Sequence, residues 1–126
     1  IERARRGCYP KSAIKDLPEN WREEAFDTQN NEFCLKTEYR EPVLFLLQDI
    51  RRTVPEGRFD LILCRNVAFT YFDDLLQREI FKKVMDKLIP GGGLVIGSTE
   101  TLPEEVAGLE LWTKCRGIYR KSSECR

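Results

Sequence analysis

A strand pattern, a helix pattern and a second strand pattern follow one another between residues 59 and 97, and this order constrains the fold most. The strand segments read FDLILC at 59–64 and LVIG at 94–97, the solid apolar runs typical of strands buried on both faces. Asp73 is a suitable N-cap for the helix between them. The helix pattern places apolar side chains on one face, at Leu76, Ile80, Phe81, Val84 and Leu88. This alternation predicts an α/β fold with a mostly parallel sheet.

Other apolar segments predict further strands around this unit. The run VLFLL at 43–47 is continuous and apolar, so we expect another buried strand there. Phe33 and Leu35 alternate with polar residues, as in a half-buried strand. The segments LELWTKC at 109–115 and GIYRK at 117–121 predict an antiparallel strand pair at the edge of the sheet.

The glycine run PGGG at 90–93 has two interpretations. Glycine loops that bind phosphate lead from a strand into a helix, so that the amides at the helix N-terminus point at the anion. These glycines lead from a helix pattern into a strand pattern instead. The sequence therefore favours a helix C-cap and a turn over a phosphate site.

Composition excludes several classes of function. A chain of 126 residues has room for one domain with a core. Its 21 basic residues balance its 21 acidic residues, which gives no indication of binding to nucleic acid. No apolar run approaches the roughly 20 residues needed for membrane insertion. The chain contains no histidine, the commonest general base and metal ligand, and we predict no metal site.

The cysteines and the first residue carry two further expectations. Five cysteines occur without a C-x-x-C pair, at Cys8, Cys34, Cys64, Cys115 and Cys125. Their odd number and scattered spacing predict free thiols in a reducing compartment. The chain starts with Ile1 rather than Met, and the first residues have the pattern of the end of a helix capped by Gly7. We therefore expect a fragment of a longer protein.

Polar residues follow two of the predicted strands directly. Asp49 and Ile50 come just after the run at 43–47, and a strand-end acid followed by an apolar residue suits an adenine ring. Asn66 follows the strand at 59–64, and its amide can both donate and accept hydrogen bonds. Either residue can equally well be a turn or capping residue, and the sequence leaves both interpretations open.

Three segments together resemble a known family: RARRGCYPKS, FDLILCRN and LIPGGGLVIGSTE. They are similar to the CheR-type chemotaxis methyltransferases, which use S-adenosylmethionine to methylate glutamate side chains of chemoreceptors, and the resemblance extends from about Arg3 to about Lys121. It implies a cytoplasmic enzyme with a Rossmann-like SAM-methyltransferase sheet whose N-terminal strands are missing from this sequence. It also implies that residues 1–126 form one partial methyltransferase domain, with a small antiparallel subdomain at about 33–45 that helps to dock the receptor.

The resemblance also implies roles for individual residues. Asp49 falls where the family has an adenine-contacting Asn, with Ile50 beside it. Asn66 and Val67 fall on positions that line the cofactor. Tyr71 matches a tyrosine near the transferred methyl, and with Arg65 it would orient the substrate.

This sequence departs from the family pattern at two places and leaves alternatives open. Four residues separate Asn66 from Tyr71, where the family usually has three, and Ser98 stands where a histidine is common. Because the Gly-rich first loop is not in this sequence, we expect the isolated chain to be inactive. The alternative is a non-catalytic remnant or interaction module of the same fold. A nicotinamide-dependent oxidoreductase sharing the sheet topology is a weaker alternative, because nothing here provides its fingerprint.

Overall fold

The computed structural model describes residues 1–103 and 108–123. The chain divides into two compact units, Ile1–Leu47 and Gln48–Arg126, called here the N-terminal and C-terminal units. No helix in the described part of the chain is long and apolar enough to cross a membrane. The predicted free thiol of Cys125 lies outside the described residues.

The N-terminal unit contains short helices and an antiparallel sheet. Its helical segments are α1 (Glu2–Arg6), a 3-10 turn (Lys11–Ala13), α2 (Glu19–Ala25) and α3 (Thr37–Arg40). Its strands are β1 (Cys8–Tyr9), β2 (Phe26–Gln29) and β3 (Glu32–Leu35), in the order β1-β3-β2. Gly7 ends α1 in the left-handed conformation at φ 63°, as the sequence predicted.

The structure bears on three predicted features of this unit: the strand at Phe33 and Leu35, the antiparallel segment at 33–45 and the buried strand at 43–47. The half-buried strand at Phe33 and Leu35 is confirmed as β3. The antiparallel strands nevertheless begin much earlier in the chain than the 33–45 segment implied by the resemblance. The buried strand predicted at 43–47 is not formed, and Leu44 and Leu47 are 80% and 87% exposed. An apolar run predicts burial only where a neighbouring strand pairs with it, and none of the described residues does so here.

The prediction of free thiols is wrong for two cysteines. Cys8 and Cys34 form a disulfide between β1 and β3. They are direct partners in the antiparallel register, although 26 residues separate them in sequence. Spacing along the chain did not reveal this pairing, because it depends on which strands lie side by side. Cys64 and Cys115 are free, as predicted.

The C-terminal unit has the α/β architecture that the sequence predicted. Its strands are β4 (Phe59–Cys64), β5 (Leu88–Ile96), β6 (Leu109–Leu111) and β7 (Ile118–Lys121), in the order β4-β5-β7-β6. Its helices are α4 (Ala68–Tyr71) and α5 (Asp74–Lys87). β4 and β5 are parallel, whereas β7 is antiparallel to both β5 and β6. The terminal antiparallel pair is therefore confirmed. One of the three pairings among the described strands of this sheet is thus parallel, and the prediction of a mostly parallel sheet is wrong for them.

The core of this unit lies where α5 and the sheet meet. Asp73 caps α5, as predicted, because its Oδ1 accepts a hydrogen bond from the Leu76 amide at 2.9 Å. The buried cluster consists of Cys64, Ala68, Phe69, Ile80, Val84, Leu88, Leu94 and Ile96. The predicted apolar face of α5 therefore supplies two of its buried side chains, Ile80 and Val84.

The predicted cap and turn at 90–93 is wrong in detail. Helix α5 ends at Lys87, and the glycines lie inside β5. The register with β4 shifts here: Phe59 is opposite Leu88, but Leu61 is already opposite Gly93. The glycines thus form an irregular bulge within a strand. A Cβ on Gly93 would lie 2.8 Å from the Trp112 ring, so the close packing of this ring requires glycine.

Candidate functional site

The carboxyl ends of β4 and β5 lie side by side and define the candidate site. Cys64 and Ile96, the last residues of the two parallel strands, are register partners. Arg65 and Gly97 therefore leave the sheet at the same edge. Ligands of open α/β sheets bind outside the carboxyl ends of the strands, and this edge is the corresponding place here.

Glu100 joins the two strand ends. Its side chain is buried, with 8% of the residue exposed. Oε2 accepts hydrogen bonds from the amides of Asn66 at 3.0 Å and Gly97 at 2.5 Å, and Oε1 accepts one from Thr70 Oγ1 at 2.5 Å. Burial raises the pKa of Glu100, but the hydrogen bonds from Thr70 and these amides outweigh it, so the pKa lies below its usual value. The carboxylate is therefore ionised at neutral pH.

Asn66 has an uncommon backbone conformation at this edge. Its φ of 56° is in the left-handed region, which Asn tolerates better than most residues. Gly97 faces its side chain so closely that an added Cβ would collide with Asn66 Oδ1 and lie 2.8 Å from Glu100 Oε2. A glycine at position 97 thus allows the end of β5 to lie close to the turn that contains Asn66.

Cys64 lies beneath this edge and is not a nucleophile. Only 7% of the residue is exposed. Burial, together with the nearby Glu100 charge, raises the pKa of the Cys64 thiol, although a backbone hydrogen bond from Ala68 acts against this. Because the thiolate is the reactive species, a thiol that stays protonated at neutral pH is inert.

The sequence-predicted residues after β4 lie on the surface of the edge. Arg65 and Asn66 are exposed, and Val67 and Tyr71 are 45% and 78% exposed. The Tyr71 amide donates to the Val67 carbonyl at 3.3 Å, and Phe69 anchors the short helix α4 in the core. The structure therefore places these residues in one short segment after β4, while their roles stay predictions.

Ile50 packs against the core of the C-terminal unit, whereas Asp49 pairs with Arg51. Ile50 and Cys64 line the same apolar groove of about 290 Å³. The Asp49 carboxylate accepts hydrogen bonds from the Arg51 side chain at 2.7 to 3.1 Å and from its amide at 3.0 Å. The Arg51 side-chain hydrogen bonds, followed by the backbone one, lower the pKa of Asp49 to about 2. Contact with an adenine amine would have to share this carboxylate with Arg51.

Two of the residues predicted to hold the cofactor differ in the chemistry that they offer. Ile50 offers an apolar surface, and Asn66 offers an amide beside an open strand end. The described residues contain no cluster of acids and cysteines that could hold a metal ion.

The sequence analysis missed Glu100 and Thr70. The available signal was the acid of GSTE, which comes four positions after Ile96, the last residue of an apolar strand.

Comparison with known families decides what this fold and site belong to. Residues 1–116 match the family described as CheR methyltransferase, SAM binding domain. The chain belongs to this family. The resemblance found in the sequence is confirmed, and the family's description names S-adenosylmethionine as the cofactor of this CheR domain.

The relatives of this CheR domain include chemotaxis enzymes. A chemotaxis protein methyltransferase of Listeria innocua is 33% identical over 102 residues, which are 81% of this chain and 38% of the relative. Chemotaxis protein methyltransferase 2 of Vibrio cholerae is 26% identical over 126 residues, with 95% of this chain and 43% of the relative covered. The chain thus spans about two fifths of the length of these relatives.

Proposed function

We propose that this chain is part of an enzyme that transfers the methyl group of S-adenosylmethionine to glutamate carboxylates of a protein partner, in the cytoplasm. The family match over residues 1–116 carries the proposal. Its chemotaxis relatives favour a chemoreceptor as the protein substrate. The paired strand ends of β4 and β5 support it, since they offer one edge with exposed polar groups.

The cofactor would be held from both sides of this edge. Asn66 and Val67 would meet its ribose or amino-acid end, because the Asn66 amide both donates and accepts. Ile50 would pack on the adenine face, and Asp49 would accept a hydrogen bond from the exocyclic amine. The amine would have to replace or share one of the Arg51 contacts, since the four hydrogen bonds that Asp49 accepts from Arg51 already match the roughly four lone-pair sites of a carboxylate.

The proposed chemistry demands positioning more than acid–base catalysis. Bound S-adenosylmethionine would supply a methyl group already activated by its sulfonium. A glutamate substrate is ionised at neutral pH, with an ordinary pKa of about 4.3, so it needs no general base. Tyr71 and Arg65 would therefore act by orienting this carboxylate, and orientation is an effective source of rate enhancement. A chain without histidine is compatible with this role.

A methyl-transfer assay tests the function. The full-length protein is incubated with methyl-labelled S-adenosylmethionine and a chemoreceptor cytoplasmic fragment. We expect label in the fragment that alkali releases as volatile methanol, since carboxyl methyl esters are base-labile. A fragment with its acceptor glutamates changed to glutamine is the matched control and should remain unlabelled. Label that resists alkali would contradict glutamate as the acceptor, and no label on any fragment would contradict a receptor substrate.

Calorimetric titration with S-adenosylhomocysteine tests the cofactor residues. We expect Asn66→Ala and Asp49→Ala to weaken binding by about three- to tenfold each, the range for one lost hydrogen bond. Asp86→Ala, on the exposed part of α5, is the control and should bind like wild type. An unchanged affinity for either variant would remove that residue from the proposed site.

A further inference from the structure

The hydrogen bonds of Glu100 in the described structure connect it to segments around the proposed cofactor site. One oxygen accepts from the amides of Asn66 and Gly97, and the other accepts from the Thr70 hydroxyl. The Glu100 amide in turn donates to the Gly97 carbonyl at 3.0 Å, which closes a tight turn after β5. One side chain thus ties the end of β5 to the turn after β4 and to α4.

These bonds connect Glu100 to a loop that contains a left-handed residue and a short helix. Asn66 is left-handed at φ 56°, a region that is unfavourable for most residues with a Cβ. Thr70 lies in α4, the short helix that ends with Tyr71. It is one of the four residues between Asn66 and Tyr71, the interval in which this sequence is one residue longer than the family pattern. Its hydroxyl gives α4 a direct connection to Glu100.

We propose that Glu100 is a positioning residue for cofactor binding and methyl transfer. It sets the orientation of Asn66 and Val67 through the Asn66 amide, and the placement of Tyr71 through Thr70. Glu100 itself is buried, so it acts through these residues rather than by touching the cofactor. This inference rests on the proposed function, because it assigns Glu100 to the same site.

Glu100→Ala and Glu100→Gln should differ strongly in their effect on cofactor binding. Glu100→Ala leaves the amides of Asn66 and Gly97 and the Thr70 hydroxyl without their acceptor. In Glu100→Gln, the side-chain carbonyl can still accept from the two amides. The side-chain NH2 group of the glutamine can donate to the Thr70 hydroxyl, because a hydroxyl group also accepts. The glutamine variant therefore preserves the geometry while removing the charge.

The test is calorimetric titration of the full-length variants with S-adenosylhomocysteine. We expect Glu100→Ala to weaken binding by about tenfold or more, since it removes the acceptor of three hydrogen bonds, one of them from the buried Gly97 amide. Glu100→Gln should recover to within about threefold of wild type, and Thr70→Val should lose about threefold, the scale of one hydrogen bond. Glu79→Gln, an exposed residue of α5, is the matched control for a carboxylate change. Ile80→Val is the control for lowered stability alone, and both controls should bind like wild type.

Hydrogen exchange in the same proteins separates failure of this inference from failure of the proposed function. We expect faster exchange at residues 65–71 in Glu100→Ala, without the ligand, and not in Ile80→Val. Wild-type protein that does not bind S-adenosylhomocysteine would overturn the proposed function, and with it the role of Glu100 in cofactor binding. Hydrogen exchange would still show in that case whether Glu100 orders residues 65–71. Binding within about twofold of wild type in Glu100→Ala would overturn the inference. If Glu100→Ala does not fold, unchanged binding in Thr70→Val together with a more than tenfold loss in Glu100→Gln overturns it.

Discussion

The N-terminal and C-terminal units are each stabilised in a different way. In the C-terminal unit, eight buried side chains form one cluster where α5 and the sheet meet. In the N-terminal unit, the buried hydrophobic residues among those described are Ile14 and Cys34. A disulfide and polar contacts supplement this small core, including a hydrogen bond of 3.1 Å from Arg40 Nη1 to the Arg6 carbonyl.

The difference relates the size of each unit's core to what stabilises that unit. Small units bury little apolar surface, and cross-links are a common compensation. The C-terminal unit has a larger core, and it contains the buried acid Glu100, which joins the ends of β4 and β5. Precise placement of functional groups therefore depends on the packed unit.

The largest effect is expected from Ile80→Ala, which tests the core of the C-terminal unit. Ile80 is 0% exposed, so its truncation leaves a cavity that lowers the free energy of unfolding by about 2–5 kcal/mol. Denaturant titration measures the loss, and hydrogen exchange shows in which unit it occurs. Leu75→Ala on the same helix, where Leu75 is 77% exposed, should change stability by less than about 0.5 kcal/mol. Equal losses in both variants would contradict a packed core around α5.

Removing the Cys8–Cys34 bond should have the next largest effect, and in the other unit. The disulfide closes a loop with a sequence separation of 26 residues, and a loop of this order stabilises by about 2–4 kcal/mol. Cys8→Ser should therefore speed amide exchange in residues 1–47 and leave α5 unchanged. Cys115→Ser, which removes an exposed free thiol, is the control. Unchanged exchange in β1 and β3 after Cys8→Ser would show that the polar contacts suffice.

A smaller effect is expected at the start of α5. Asp73→Ala removes the side-chain acceptor of the Leu76 amide and should lower the free energy of unfolding by about 1 kcal/mol. Asp73→Asn keeps an acceptor of similar capping strength and should behave like wild type. Thermal unfolding of the two variants measures the difference. A loss in Asp73→Asn as large as in Asp73→Ala would assign the effect to charge rather than to the cap.

The smallest effect concerns the surface pair of Asp49 and Arg51. The pKa of Asp49 is lowered from its ordinary value of 3.8 to about 2, so its contribution to stability is complete above about pH 4 and is lost as the pH falls toward 2. In Arg51→Ala, the pKa should return toward 3.8, as measured by NMR titration of the carboxyl carbon. Arg52→Ala should move it much less, since Arg52 contributes only the weaker charge effect. Equal shifts in both variants would contradict the hydrogen-bonded pair.

The sequence predicted what depends on neighbours along the chain. The position of the strand at 59–64, the Asp73 cap and the apolar face of α5 were all predicted from local sequence patterns. The predicted burial of this strand is wrong at Leu61 and Leu63, which are 54% and 66% exposed. The errors concern contacts between distant segments. Whether 43–47 is buried depends on a strand to pair with, and the Cys8–Cys34 bond depends on strand register.

The candidate site shows the same limit. Asp49, Ile50 and Asn66 were predicted because they follow apolar runs in the sequence, and Val67 was added by the family resemblance. Glu100 was missed because its hydrogen bonds to Asn66 and Thr70 cross 34 and 30 residues of chain. Pairwise contacts of this kind become visible only when the two strand ends are placed side by side.

β4 has a practical consequence for preparing this stretch of chain. It stands at one end of the sheet order, and Leu61 and Leu63 on it are 54% and 66% exposed. An open strand edge beside exposed leucines is a template for aggregation. Concentrated preparations should therefore lose monomer through β-mediated assembly, and Leu63→Lys, a charged gatekeeper on the exposed face, is the substitution of choice for keeping them in solution.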